Sequence, residues 1–505
     1  MASSDLKARP PDHDDDDGDD GATPAGDEEA PPPTAAALSP VVFRWYHWVL
    51  IGCIDVLGPF STDSYVPNTT RLRHELDTTN VVTGLTLQLN WLAKGVATLA
   101  IGALADRIGR RGAFMRAFVY YVIGTAGCAV TPTRPWGIWT FLAFRVVQGI
   151  GESGTTVCTA VARDVLETPQ HRLKVLSIIT SLRLTAIAVS PTIGGVVGVR
   201  FGWRAIFGGL AAVGATLAVL TASALPETWR PKTTKKGPNG GRADDVSWRE
   251  VLARFRSCRT DPGVGAALGS LCSATFGFAG LLSYLSTVSP LLQDHFGVST
   301  VHTALLMGSV ASIFLVVNVC LAALLSRYKG SPWLEPLRLL KLSLRVRTLG
   351  SAFGLTAAFG PRFLRDSVPY LLLNCYAFSL GIALGFGSSN ALFVQPFGDA
   401  AGKAAALLLI TRTVVGTAVA QLAVDVEELF GVRGFLAFLS IVSLFAQFAW
   451  LVLPASMGGT AAEAAGTGPS PRVAAETHSE EDDAATSTTS PLAEPLLDDD
   501  DRAEA

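Results

Sequence analysis

Twelve stretches of about twenty mainly apolar residues recur along this 505-residue chain, and no other feature limits its fold so strongly. A helix needs roughly 20 apolar residues to cross a hydrocarbon core of ~30 Å, and inside lipid the backbone must satisfy its own hydrogen bonds. The stretches lie at residues 45–65, 81–104, 113–131, 137–161, 175–199 and 203–225, then at 264–290, 304–325, 339–359, 368–394, 401–424 and 435–453. The expected fold class is an all-α integral membrane protein with twelve transmembrane helices in two six-helix halves. Charged residues make up only 16% of the chain, against roughly 25% in soluble domains, and part of that is spent on acidic runs at 12–20 and 498–501. The span at 339–359 is the weakest, because Lys341, Arg345 and Arg347 crowd its start, and its beginning is expected several residues later.

The connections set the orientation. Fourteen Lys and Arg, among them Arg107, Arg110, Arg111, Arg163, Arg172 and Lys403, fall on one side, against eight on the other, including Arg71, Arg73, Arg204 and Arg433. The richer side is cytoplasmic by the positive-inside rule, which places both termini in the cytoplasm. The expected organisation is an acidic tail at 1–44, a first half at 45–227, a cytoplasmic linker at 228–262, a second half at 263–454 and an acidic tail at 455–505. Both tails are too poor in apolar residues to fold. Residues 248–256 in the linker carry the pattern of a short amphipathic surface helix.

Several function classes drop out. Basic residues are scattered through short connections rather than clustered on a folded face, which argues against nucleic acid as a partner. Cys53, Cys128, Cys158, Cys272, Cys320 and Cys375 lie inside apolar stretches, as small packing residues and not as a disulfide or metal framework. No cofactor or metal is expected. The acidic, Pro/Ala-rich start lacks the pattern of a secretory or transit peptide, which leaves a plasma or organelle membrane as the location. Glu494-Pro495-Leu496-Leu497 only loosely matches an acidic dileucine sorting signal.

The most specific stretch is Gly102-Ala103-Leu104-Ala105-Asp106-Arg107-Ile108-Gly109-Arg110-Arg111. Its glycines permit a tight turn and close helix approach, and Asp106 can cap a helix or pair with an Arg. The loop resembles the signature loop of the major facilitator superfamily. That resemblance implies a gate at Gly102, Asp106, Arg107, Gly109, Arg110 and Arg111, which latches the two halves in the outward-open state. Arg145-Val146-Val147-Gln148-Gly149-Ile150-Gly151-Glu152-Ser153 resembles the family's second motif. In the fifth span, Ala186, Ser190, Pro191, Gly194 and Gly195 follow the spacing of the antiporter motif, with Ala and Ser in place of two usual glycines. An ordinary small-residue packing face is the alternative there. Leu225-Pro226-Glu227-Thr228 closes the sixth span as in many drug/proton antiporters. The stretches 62–67 and 276–286 also resemble the Bcr/CflA-like branch of those antiporters. The second copy of the signature loop, near 325–329, is degenerate.

Ionisable residues inside the spans are costly and mark function. Asp55 and Asp63 lie eight residues apart in the first span, about 12 Å along a helix axis. With Arg145 and Glu152 they form the proton-coupling set. A carboxylate changes its proton affinity when its cationic partner or its burial changes, and Asp63 and Arg145 fall at compatible depths. The alternative is a fixed ion pair. Lys94 and Arg183 are further partners for Asp55 or Glu152, and the sequence leaves the pairing open. Tyr65, Trp91, Lys94, Phe278, Tyr284, Tyr376, Asn390 and Arg412 are the candidates for lining a central cavity.

The resulting expectation is a monomeric, proton-coupled antiporter exporting small amphipathic organic compounds, with protons, a small-molecule substrate and the bilayer as its partners. The alternatives are a metabolite or organic-anion transporter of the same fold and a non-catalytic membrane sensor. A membrane enzyme is disfavoured because no nucleophile, base and orienting group can be assembled, and His47, His74, His295 and His302 lack metal-ligand spacing.

Overall fold

The computed structural model describes residues 43–166, 168–229, 262–328 and 335–452. Both expected tails beyond these limits, nearly all of the linker with its amphipathic stretch 248–256, and Lys329 of the degenerate loop lie outside the described residues. What is described is nearly all helix. In chain order the helices are α1 (Trp45–Asp63), α2 (Thr69–Glu75), α3 (Asn80–Ile108), α4 (Arg110–Ala129), α5 (Gly137–Glu152), α6 (Thr155–Val165), α7 (Pro169–Phe201) and α8 (Trp203–Ala224). After the gap come α9 (Pro262–Pro290), α10 (Thr300–Arg327), α11 (Pro336–Phe359), α12 (Arg362–Arg365), α13 (Val368–Val394) and α14 (Ala401–Val452). α14 is two helices meeting at Gly431, whose φ of +61° is not helical.

Local chemistry sets many of these boundaries. Thr79 caps α3 by accepting from the Val82 N–H at 3.3 Å, Ser299 caps α10 through the His302 N–H at 3.4 Å, and Pro occupies a first-turn position of α7, α11 and α13. Gly109 at φ +88° and Gly202 at φ +85° each join two helices through one residue, a backbone conformation that a side chain would strain.

Among the described residues, seven helices are long and apolar enough to cross a membrane, by length and composition: α3, most of α7, α8, α9 from Gly265, α10, α13 and α14. Large apolar side chains face outward, as with Val119 at 54% exposure, Val219 at 67% and Leu349 at 72%. An outward apolar surface of this kind suits lipid rather than water.

Three expectations change. The stretch 137–161 is not one helix: it breaks after Glu152, where Ser153 and Gly154 form a tight turn with hydrogen bonds back to Ile150 and Gly151. Such a break inside the bundle is tolerated because its backbone groups stay paired. The helix expected to begin late at 339–359 begins earlier, at Pro336, and accommodates Arg347 by burying it, with Nη1 donating to the Ser273 carbonyl and hydroxyl at 3.3 Å each. The eleventh stretch continues past Val424 to the break at Gly431.

Packing brings the two sets of helices together along two seams: α7 lies against α10, and α3 against α14. The small residues of α7 explain the first. A Cβ at Gly194 would overlap the Ser64 carbonyl at the end of α1, and one at Gly195 would overlap Ala304 of α10. Asn68 Nδ2 donates to the Gly194 carbonyl at 2.9 Å. Because the obstacle at Gly194 is backbone, Gly194→Ala is expected to cost about 1–3 kcal/mol. The check is the thermal unfolding midpoint in detergent, with Gly208→Ala, whose Cβ meets nothing within 4 Å, as the control. Equal midpoints would show that α1 and α7 separate freely.

Candidate functional site

A cavity of about 300 Å³ opens between α1, α3, α6 and α7 on one side and α9, α10, α13 and α14 on the other. Its walls are mostly apolar, with Trp91, Phe278, Leu281, Met307, Phe314 and Phe386 among them. Trp91 meets Phe278 edge-on, with ring centroids 5.3 Å apart, so an aromatic contact crosses from α3 to α9. Of the residues expected to line a cavity, Trp91, Lys94, Phe278, Tyr284 and Arg412 do so, and Asp63 and Pro191 join them. Tyr65, Tyr376 and Asn390 do not. Tyr65 is fully buried with its hydroxyl 2.9 Å from Thr86 Oγ1, and the Tyr376 hydroxyl is held by Ser309 at 2.7 Å.

Two of the buried carboxylates sit in ion pairs. Glu152, at the end of α5, is buried at 3% exposure and receives Ser61 Oγ at 2.7 Å, Thr62 Oγ1 at 3.1 Å, Asn90 Nδ2 at 3.5 Å and Lys94 Nζ at 3.3 Å. Lys94 faces the cavity beneath the Trp91 ring, 4.9 Å from its centroid. The helix break after residue 152 aims this carboxylate across the bundle toward α1 and α3. Asp55, at 0% exposure, is gripped by both arms of Arg183 on α7, with Nε donating to Oδ2 at 2.7 Å and Nη2 to Oδ1. A fork of this kind matches carboxylate geometry and resists rotation.

Asp63 and Arg145, at compatible depths in the sequence, do not form an ion pair here. Arg145 is fully buried and donates through Nε to the Thr86 carbonyl at 3.0 Å and through Nη1 to Gln148. Its guanidinium stacks over Tyr65 at 4.6 Å and lies 5.8 Å from Phe207. Asp63 lines the cavity with Oδ1 buried and without a hydrogen-bond partner. One carboxylate is therefore left facing the cavity without a fixed partner on that oxygen.

At the Gly102–Arg111 loop, Asp106 pairs with Arg110 at 2.6 Å, and Arg110 also reaches Asp164 of α6 at 2.7 Å. Arg107 is exposed, and Arg111 donates to the Ala222 carbonyl. Glu227 explains its own short motif: its carboxylate accepts the N–H groups of Arg110 at 2.7 Å and Arg111 at 3.1 Å, capping α4 where the helix dipole favours an anion. It also fills the space where a Cβ on Gly109 would sit.

The α3–α14 seam is uneven. Gly84 touches Val424 and Gly95 touches Thr413, but a Cβ at Gly102 would meet nothing within 4 Å. At the far end from this loop the two sets of helices are tied by polar contacts. Arg73 pairs with Asp294 at 2.9 Å, Gln293 donates to the Pro67 carbonyl at 2.7 Å, and Gln421 donates to the Val81 carbonyl at 3.1 Å.

Residues that sequence reasoning missed include Ser61, Thr62 and Asn90 around Glu152, Asp164 beside Arg110, and Asn318 and Phe386 in the cavity wall. The Asn90/Lys94 spacing of one helical turn was a usable signal, since both sit on one face of α3. Nothing local marks Asp164, because its partner is 54 positions away.

Comparison with known proteins agrees with this architecture. The sequence profile of the Major Facilitator Superfamily matches residues 51–420. The chain is 28% identical over 264 residues to the chloramphenicol resistance protein of Pseudomonas aeruginosa, covering 52% of this chain and 58% of that protein, so the match spans little more than half of that relative's length. It is 25% identical over 360 residues to the multidrug resistance protein MdtL of Escherichia coli, covering 71% of this chain and 83% of the relative. The inward-open xylose transporter XylE from E. coli has the same fold, with a TM-score of 0.61 at 15% identity over 81% of this chain and 96% of that one. So does an inward-facing bacterial homolog of the human lysosomal transporter Spinster, with a TM-score of 0.60 at 15% identity over 80% and 95%. The resemblance carried by the Gly102–Arg111 loop is borne out, and the chain is a multi-pass membrane transporter rather than an enzyme. With the profile match running through more than half of its length, the chain belongs to the Major Facilitator Superfamily.

Proposed function

We propose that this transporter exchanges protons for small amphipathic organic compounds and exports them by alternating access between two six-helix halves. The observation that carries this reading is the cavity itself: an apolar, aromatic chamber whose wall holds an unpaired carboxylate, Asp63, beside the Lys94–Glu152 cluster. Loose aromatic walls recognise shape and apolar area rather than one hydrogen-bonding pattern, as export of varied compounds requires. The relatives named for chloramphenicol and multidrug resistance support the same substrate class.

In this reading the chain spans the membrane twelve times, as a monomer, with both termini and the Gly102–Arg111 loop in the cytoplasm and with halves at 45–227 and 263–454. Residues 228–262 link the halves. The gap at Gly102 and the polar ties at the opposite end then correspond to a state open toward the cytoplasm, in which the gating loop is not latched. Asp63 and Glu152 are the proton-exchanging acids, while Asp55 holds Arg183 in the cavity wall.

The test is proton movement from purified protein in vesicles with an imposed pH gradient, for wild type and Asp63→Asn. Substrate-evoked proton flux that falls at least about tenfold in Asp63→Asn, the scale of one lost charged interaction, is the expected result. Substrate uptake without proton movement, equal in both proteins, would make the chain a facilitator and reduce Asp63 to a structural role.

A further inference from the structure

Lys94, Arg183 and Arg412 are the three cations among the described residues lining the cavity, and Asp63 is the one acid. Two of the cations are neutralised by carboxylates buried behind the wall, Lys94 by Glu152 at 3.3 Å and Arg183 by both oxygens of Asp55. Arg412, on α14, is different. No described carboxylate lies within ion-pair distance of it, its buried Nε has no hydrogen-bond partner, and its guanidinium sits between two phenyl rings, 5.0 Å from Phe278 and 5.3 Å from Phe386.

We propose that Arg412 binds an anionic group, a carboxylate or its equivalent, on the transported compound, and that the preferred substrates are therefore aromatic or otherwise apolar acids rather than lipophilic cations. This rests on the reading of the cavity as the transport site and names the class of compound it takes.

Three physical points carry the assignment. A guanidinium offers five N–H donors in a planar fork, and stacking on ring faces leaves those donors unused. An unpaired cation in an apolar chamber is costly, so a ligand that neutralises it gains more than it would at the surface. The placement of the other charges also favours an anion here. Arg183 already holds Asp55 and Lys94 already holds Glu152, so neither of these buried acids neutralises Arg412. The Phe278 and Phe386 rings that position the guanidinium also give an aromatic acid a surface on which to lay its apolar part.

The experiment uses three probes of one shape: 1-naphthoate, 1-naphthylmethylammonium and 1-naphthylmethanol. Binding to the full chain in detergent and uptake in vesicles are measured for wild type, Arg412→Gln and Arg412→Lys, with thermal unfolding and size-exclusion elution as the folding check. Wild type is expected to bind the acid most tightly. Arg412→Gln is expected to weaken acid binding by about 10- to 100-fold, and by at least about tenfold more than it weakens the neutral alcohol, while Arg412→Lys recovers part of the loss. Tighter binding of the ammonium probe by wild type, or an equal loss for all three probes in Arg412→Gln, would overturn the assignment while leaving the cavity as the transport site. If none of the probes binds or moves, the assignment falls together with the reading of this cavity as the site for small amphipathic compounds.

Discussion

Glu152→Gln is expected to lower substrate-driven transport by about 100-fold or more while leaving a folded protein. Removing one partner of a buried ion pair typically costs ~3–5 kcal/mol, and each ~1.4 kcal/mol is a factor of ten. The substitution keeps the shape of the side chain but only one acceptor oxygen, so of Ser61, which donates to Oε1, and Thr62, which donates to Oε2, one keeps its acceptor. It also removes the counter-charge of Lys94, and with the amide oxygen kept toward Ser61 and Asn90 the new NH2 faces the donors Thr62 and Lys94. Initial uptake rates in vesicles at matched protein amounts measure the effect. The double variant Lys94→Gln/Glu152→Gln removes both charges and is expected to unfold at a higher temperature than Glu152→Gln alone, without regaining transport. A wild-type rate from Glu152→Gln would show that the cluster only holds α1, α3 and α5 together.

The second large effect concerns stability. Arg183→Ala leaves Asp55 as a fully buried carboxylate with neither of its two donors, and the expected cost is about 3 kcal/mol. This is the lower end of the range for a broken buried pair, because the Arg183 side chain is itself 36% exposed toward the cavity. Adding Asp55→Asn removes the orphaned charge and should recover much of the loss, so the two substitutions are non-additive in thermal unfolding. Additive losses would mean that the pair is not coupled energetically and that each residue is held by its own surroundings.

These two ion pairs also show where sequence reasoning stops. The residue types were legible, since charges inside apolar stretches stand out against a solvent that penalises them. Their partners were not. Lys94 and Arg183 each had two acids to choose between, and Asp55 lies 128 positions from the arginine that holds it. Arg145 was expected near Asp63 because the two share a depth. Depth along a helix axis does not specify rotation about it, and rotation turns Arg145 onto Tyr65 instead.

Helix boundaries show the same division. Spans bounded by Pro or Gly, such as Trp203–Ala224 and Val368–Val394, were readable nearly to the residue, because those residues end or start helices by backbone chemistry alone. The break after Glu152 was not. Gly151 and Gly154 permit it, but Gly151 presses on the Tyr121 backbone and Gly154 on Ala117, and those contacts exist only once α4 has packed.

By itself, then, the sequence determined the membrane character, the helical class, the family loop and the presence of costly buried charges, because all of these follow from apolar length, backbone chemistry and short motifs. Only the tertiary structure decided which acid meets which cation, that Tyr65 supports Arg145 instead of facing the cavity, and that Arg412 has no acid partner among the described residues. Those outcomes depend on how helices distant in sequence are rotated against one another, and that rotation is set by close packing at sites such as Gly194 against Ser64 and Gly195 against Ala304.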